Sequence, residues 1–132
     1  GRGVGTACVA LETQVGTLNA TIANGSLFVK EVDALTIGTV TVCALTASTT
    51  NIENTTGDLT VGCVTTSAQI FLTATGGDIV DGNGAARNVK TFGTATLFAG
   101  GSIGTPANPL DVDVNVLGLT ANTGSIAIDA VS

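Results

Sequence analysis

Leu72-Thr73-Ala74-Thr75-Gly76-Gly77-Asp78-Ile79 decides the fold, because the chain uses it again. Leu119-Thr120-Ala121-Asn122-Thr123-Gly124-Ser125-Ile126 repeats it at the same internal spacing, and Leu45-Thr46-Ala47-Ser48-Thr49-Thr50-Asn51-Ile52 repeats it without the glycine. Leu97-Phe98-Ala99-Gly100-Gly101-Ser102-Ile103 is one residue shorter. Ile22-Ala23-Asn24-Gly25-Ser26-Leu27 keeps the second half, and Arg2-Gly3-Val4 reads as the tail of a sixth copy. The closing aliphatics are Val4, Leu27, Ile52, Ile79, Ile103 and Ile126. Their near-constant period of roughly 23–27 residues means stacked structural units.

A second aliphatic marker follows the first at nearly the same distance, from Val4 to Leu11, Leu27 to Leu35, Ile52 to Leu59 and Ile103 to Leu110, and slips to Val89 in the fourth unit. With a looser third set, each unit carries about three short apolar segments. The chain has 132 residues, of which 18 are Gly and 11% are charged. It is rich in Thr, Val and Ile, which favour strands over helices. Thr36-Ile37-Gly38-Thr39-Val40-Thr41-Val42 and Asp111-Val112-Asp113-Val114-Asn115-Val116 alternate with a period of two, which gives a strand one apolar face and a helix none. Asn-Gly, Gly-Gly and Pro-containing turns separate these segments.

Three strands and their turns fill about 24 residues, one coil of a right-handed parallel β-helix, or β-solenoid. The expectation is a single unit over residues 1–132 with five to six rungs of roughly 23–27 residues. Its inward column is Val4, Leu27, Ile52, Ile79, Ile103 and Ile126, and its turn glycines are Gly25, Gly77, Gly101 and Gly124. An antiparallel sandwich would share the turn spacing. It would not repeat Leu-Thr-Ala-x-x-Gly-[Ser/Asp]-Ile at coil length.

Phe71-Leu72-Thr73-Ala74-Thr75-Gly76-Gly77-Asp78-Ile79 and Ala99-Gly100-Gly101-Ser102-Ile103-Gly104-Thr105-Pro106-Ala107-Asn108-Pro109-Leu110 resemble repeat segments of large secreted bacterial proteins of the filamentous haemagglutinin type. The resemblance covers most of residues 17–132. It implies a right-handed β-helical rod at the cell surface, and it carries no active site with it. The fourth unit is enlarged around Asp81–Lys90.

Chemistry-bearing residues are few. Net charge is −6, and the cations Arg2, Lys30, Arg87 and Lys90 are mostly scattered, which disfavours nucleic acid as a partner. No stretch approaches a membrane span. Cys8, Cys43 and Cys63 are an odd count. They read either as buried free thiols or as intersubunit disulfides, with Cys8 the best placed. Cys43 and Cys63 lie at different offsets in their units, which argues against a bridge between rungs. Asp78, Asp81 and Asn83 have the composition of a calcium loop without its spacing, and turn chemistry explains them as well.

Asn19-Ala20-Thr21, Asn24-Gly25-Ser26 and Asn54-Thr55-Thr56 match a glycosylation tripeptide and read as turn and ladder residues in a bacterial chain. With no His, Tyr or Trp, the commonest general base and most sugar-stacking platforms are missing. Asp111 and Asp113 are the best carboxylate pair left. Enzymatic activity and a cofactor are not expected. Thr39-Val40-Thr41 and Thr94-Ala95-Thr96 have the form of an ice-binding array, but neighbouring units break it.

Gly1 in place of Met, with no leader, reads as a mature product or a piece of something longer. No cap is visible at either end, so the unpaired rung edges point to end-to-end self-association or to continuation of a longer rod. The expected role is an extracellular structural filament. An adhesin bearing its ligand site on the Asp81–Lys90 loop is the alternative.

Overall fold

The computed structural model describes residues 3–6, 8–43 and 48–131. Twelve strands follow one another, and among the described residues there is no helix. They are β1 Gly3–Val4, β2 Leu11–Thr13, β3 Thr17–Ile22, β4 Ser26–Glu31, β5 Leu35–Val42, β6 Thr49–Asn54, β7 Leu59–Thr66, β8 Gln69–Ala74, β9 Ile79–Asp81, β10 Val89–Ala99, β11 Leu110–Ala121 and β12 Ile128–Ala130. Every strand–strand pairing is parallel. The chain therefore winds as a β-solenoid of about six coils with three faces.

Face A stacks β1 and β2 under β4, then β6, β8, the second half of β10, and the second half of β11. Face B stacks Leu35–Ile37, Leu59–Val61 and β9, followed by Ile103 and Ile126. Face C stacks the ends of β3, β5 and β7, then the starts of β10 and β11, then β12. Alternation sends every second residue inward. One inward ladder on face A is Val29, Ile52, Leu72, Leu97 and Leu119; on face C another is Ala20, Val40, Val64, Val89, Val112 and Ala130. Each fully buried Leu, Ile or Val in these ladders contributes ~1.5–3 kcal/mol, which makes the stacked columns the main source of stability.

The rungs correct the expected inward column. Val4 and Leu27 do stack, but Leu27 faces Thr50, and Ile52 faces Leu72. Ile79, Ile103 and Ile126 belong to face B, above Leu35 and Leu59. Six marker residues thus fall on three ladders. Successive coils are instead marked by Val4, Leu27, Thr50, Ile70, Ala95 and Leu117. The coil from Thr50 to Ile70 is the shortest, because Ser67 and Ala68 alone turn the chain from β7 into β8. The next, from Ile70 to Ala95, is the longest, because residues 82–88 bulge between β9 and β10.

The third copy of the motif also moves. Ile52-Glu53-Asn54-Thr55-Thr56-Gly57-Asp58-Leu59 lies in register with Leu72–Ile79, so Ile52 opens this copy rather than closing one. Leu45-Thr46-Ala47, like Arg2, lies outside the described residues. Asn54 stands where the other copies have Ala, and its side-chain amide donates to the carbonyls of Thr56, Gly57 and Asp58 at 3.2, 3.0 and 3.1 Å. It closes the corner from inside.

That corner explains the glycines. Only Gly25 of the four expected turn glycines has positive φ, at 130°. Gly77 and Gly101 are needed for space: a Cβ at Gly77 would strike the Gly57 carbonyl, and one at Gly101 the Asp78 carboxylate. Beside them Asp58, Asp78, Ser102 and Ser125 form a second ladder. Asp78 N–H donates to Asp58 Oδ1 at 2.9 Å, Ser102 N–H to Asp78 Oδ1 at 2.7 Å, and Ser125 N–H to Ser102 Oγ at 3.0 Å. The recurring Gly-[Asp/Ser] is a side-chain hydrogen-bond chain running along the solenoid.

Candidate functional site

The two end coils are where the chain has most left to offer a partner. In a stacked parallel sheet each middle strand spends its backbone groups on two neighbours, and an end strand on one. Among the described residues β1 and β2 pair only with β4, and β3 only with β5; at the other end β12 pairs only with β11, and the face A half of β11 only with β10. Side chains follow the same division. The partly buried apolar residues packed against the core are Val4, Leu18 and Ala20 at the first end and Val114, Leu117, Leu119, Ala121 and Ile128 at the last. Val9, Leu11 and Val15 are exposed at the first end, as are Val116 and Ile126 at the last. Both edges look like core cut across a rung.

The first end carries one unusual group. Glu31 is fully buried, in the ladder that continues as Asn54, Ala74, Ala99 and Ala121. Only the rung of Thr13 and Val15 separates it from the end. Burial works to raise its pKa, but hydrogen bonds from the Thr13 hydroxyl and the Val15 and Val32 backbone, with Asp33 beside it, hold it below the ordinary carboxylate value of 4.5. Val15 N–H reaches both carboxylate oxygens at 3.1 Å. The carboxylate pins the first coil to the second.

The enlarged loop is a braced corner. Asp81 is buried, and its Oδ1 accepts from Asn83 N–H at 2.9 Å and from the Asn88 amide at 2.7 Å. Asn88 also donates to the Val61 carbonyl at 2.8 Å and accepts from Asp111 N–H at 2.7 Å, tying three coils together. Outside it, Arg87 and Lys90 pair with Asp113 at 3.3 and 3.4 Å. Lys90 Nζ stands 5.8 Å from the centroid of the Phe92 ring, which is 71% exposed. The sequence hides this Lys90–Phe92 pair, because β10 reads as ordinary alternation.

The remaining sequence candidates are not brought together. Asp78 belongs to the corner ladder, whereas Asp81 and Asn83 belong to the loop, and no three His, Cys, Asp or Glu among the described residues form a metal-binding group. Cys8, Cys43 and Cys63 are unpaired; Cys8 and Cys43 are exposed and Cys63 half-buried, which corrects the reading of them as buried thiols. Cys63 stacks on Thr39, not on Cys43. Asp113 is engaged by Arg87 and Lys90, and Asp111 is buried. A groove of ≈ 510 Å³ runs beside β2, between Val9 and Leu11 on one side and Phe28, Lys30, Asn51 and Glu53 on the other.

No helix among the described residues is long and apolar enough to cross a membrane. Compared with family models, curated proteins and solved structures, the chain finds no match.

Proposed function

We propose that this chain is a structural β-solenoid segment of an extracellular rod of the filamentous haemagglutinin type, built so that further coils cover its end rungs. One observation carries the reading: the inward aliphatic ladders run to both end planes and stop there without a polar or helical cover among the described residues. Capping units with a polar outer face are what a solenoid needs to be soluble as a free particle. An edge of unpaired N–H and C=O groups over an apolar section is a template for another rung. The function is then mechanical: hydrogen bonds along the axis and packed ladders inside transmit load from coil to coil.

Negative-stain electron microscopy of the purified chain, with and without reductant, tests this. Rods longer than the single particle are expected, and their loss on reduction would assign the exposed Cys8 or Cys43 as a staple between copies. Monodisperse short particles at all concentrations would refute stacking.

Phe92 supports a second reading, an adhesin. A ring 71% exposed beside a lysine offers a ligand one apolar and one cationic contact at the edge of the enlarged loop. Replacing Phe92 and Lys90 together by Ala should leave the rod intact and remove binding to a host surface; unchanged binding would discard the reading.

A further inference from the structure

Residues 1–33 and 100–132 align without a gap at a shift of 99, with ten identities, among them Gly5/Gly104, Thr6/Thr105, Leu11/Leu110, Leu18/Leu117, Gly25/Gly124 and Ser26/Ser125. Both segments are built alike. Val4 pairs with Leu27 as Ile103 pairs with Ile126, and Leu11–Thr13 pair with Val29–Glu31 as Leu110–Val112 pair with Ile128–Ala130. Between those pairings the chain makes the same excursion twice. Thr6 N–H donates to the Val9 carbonyl at 2.8 Å and Val9 N–H to Thr6 Oγ1 at 2.9 Å; Thr105 and Asn108 repeat both bonds at 3.1 and 3.0 Å. The excursions open on Gly5 and Gly104, at φ 68° and 65°.

The two segments differ in what lies beyond them. The first is covered by Leu35–Val42 and Thr49–Asn54, through Leu18↔Ile37, Ala20↔Val40, Ile22↔Val42, Leu27↔Thr50, Val29↔Ile52 and Glu31↔Asn54. The last has no such cover among the described residues.

We propose that the outer edge of the last coil is a docking surface for a second copy of this chain, in which residues 100–132 of one copy take the place of residues 1–33 of the next. This rests on the end-to-end stacking proposed above and specifies which edges meet. In the shared register Leu117, Leu119, Ala121, Ile126, Ile128 and Ala130 face Ile37, Val40, Val42, Thr50, Ile52 and Asn54. All six incoming residues are apolar. Ala20 and Ile22 become Leu119 and Ala121, so the small and large side chains trade places and the filled volume is nearly kept. Ser26 Oγ accepts from Thr49 N–H at 3.0 Å, and Ser125, exposed on the last coil, carries the same hydroxyl.

Glu31, the one buried charge of the first coil, is replaced by Ala130. The Thr13 hydroxyl and Val15 N–H that Glu31 holds lie in the same displaced segment and leave with it, so the exchange strands no partner of the carboxylate at the junction. The first coil is thus a removable cover of the kind the last coil can supply. The displaced residues 1–33 are released.

The test uses full-length chains with Cys8, Cys43 and Cys63 replaced by Ser. One preparation carries Thr120→Cys, a second Thr41→Cys and a third Glu12→Cys. Thr120 corresponds to Thr21, the rung neighbour of Thr41, and neighbouring strands lie at about the separation a disulfide spans. After unfolding and joint refolding in oxidant, T120C with T41C is expected to give a mixed disulfide dimer, and T120C with E12C none. Limited proteolysis of the assembled rods is expected to remove residues 1–33. Rods that cross-link through E12C, or rods with neither the T120C–T41C bridge nor a cleavable first segment, would overturn the exchange and leave simple stacking. Monomers without any bridge would overturn both.

Discussion

Ile79 and Ile126 stand in one ladder, two rungs apart, and share chemistry and register through Ile103. Ile79 is fully buried, whereas Ile126 is 45% exposed. Nothing in either side chain accounts for this; Ile79 has coils on both sides and Ile126 on one. A position in a solenoid therefore has two meanings, core when a rung follows and interface when none does. The middle coils are paired on both edges, and the end coils on one edge among the described residues.

The largest effect should come from putting a charge into the middle of this ladder. Ile79→Asp loses the burial of a large aliphatic and leaves an unpaired carboxylate inside, a combined cost of more than ~4 kcal/mol. That is a large part of a domain's total stability, ~5–15 kcal/mol. Loss of the cooperative unfolding transition by circular dichroism is expected; a normal transition would refute the inward placement.

A smaller change of opposite sign is expected one face away. Thr50 lies between Leu27 and Ile70, fully buried, with a hydroxyl that has no partner among the described residues. Thr50→Val should stabilise by ~1 kcal/mol, because it removes an unpaired polar group and keeps the shape. A lower denaturant midpoint would mean that the hydroxyl has a partner after all.

Glu31 sharpens the contrast from the first end. Its pKa is lowered in the folded state, so its contribution is present above the ordinary value of 4.5 and is lost as pH falls through the folded pKa. Acid should loosen the Leu11–Val15 segment before the middle coils, visible as amide exchange below about pH 4.5. Glu31→Gln should flatten that acid dependence; an equal slope in both proteins would show that other carboxylates cause it. The smallest effect belongs to Ile126→Ala. Half-exposed at an end, it should change the stability of the single particle by less than ~1 kcal/mol while reducing rod formation.

Much of this was legible in the chain, at the level of pattern. Thr36–Val42 and Asp111–Val116 are strand, as read, but each passes from one face to the next, so Ile37 and Val40 are both buried, Asp111 is buried and Val116 exposed; the Gly-[Asp/Ser]-Ile recurrence fits the face A to face B corner at Asp78 and Ser102. Register was not legible, because one aliphatic serves any ladder. Ile52 matched the spacing of a closing residue but opens its motif, and the short turn at Ser67–Ala68 that shifts everything after it carries no distinctive signal. The Ile22–Leu27 copy was real but sits at a different corner, turning β3 on face C into β4 on face A. A gapless comparison of the segment 1–33 with the segment 100–132 would have exposed it.

Local chemistry, then, lies in the sequence by itself: strands from β-branched alternation, corners from Gly beside Asp or Ser, about three segments to a coil. These follow from sterics and from hydrogen bonds between near neighbours in the chain, which a linear pattern records. Which residues stack, and that Glu31 and Asp81 are buried and held by hydrogen bonds, were decided only in three dimensions. Rung pairing joins residues a full coil apart on ladders of nearly interchangeable Val, Leu and Ile, so the choice among registers rests on turn lengths and on the packing of all the coils at once.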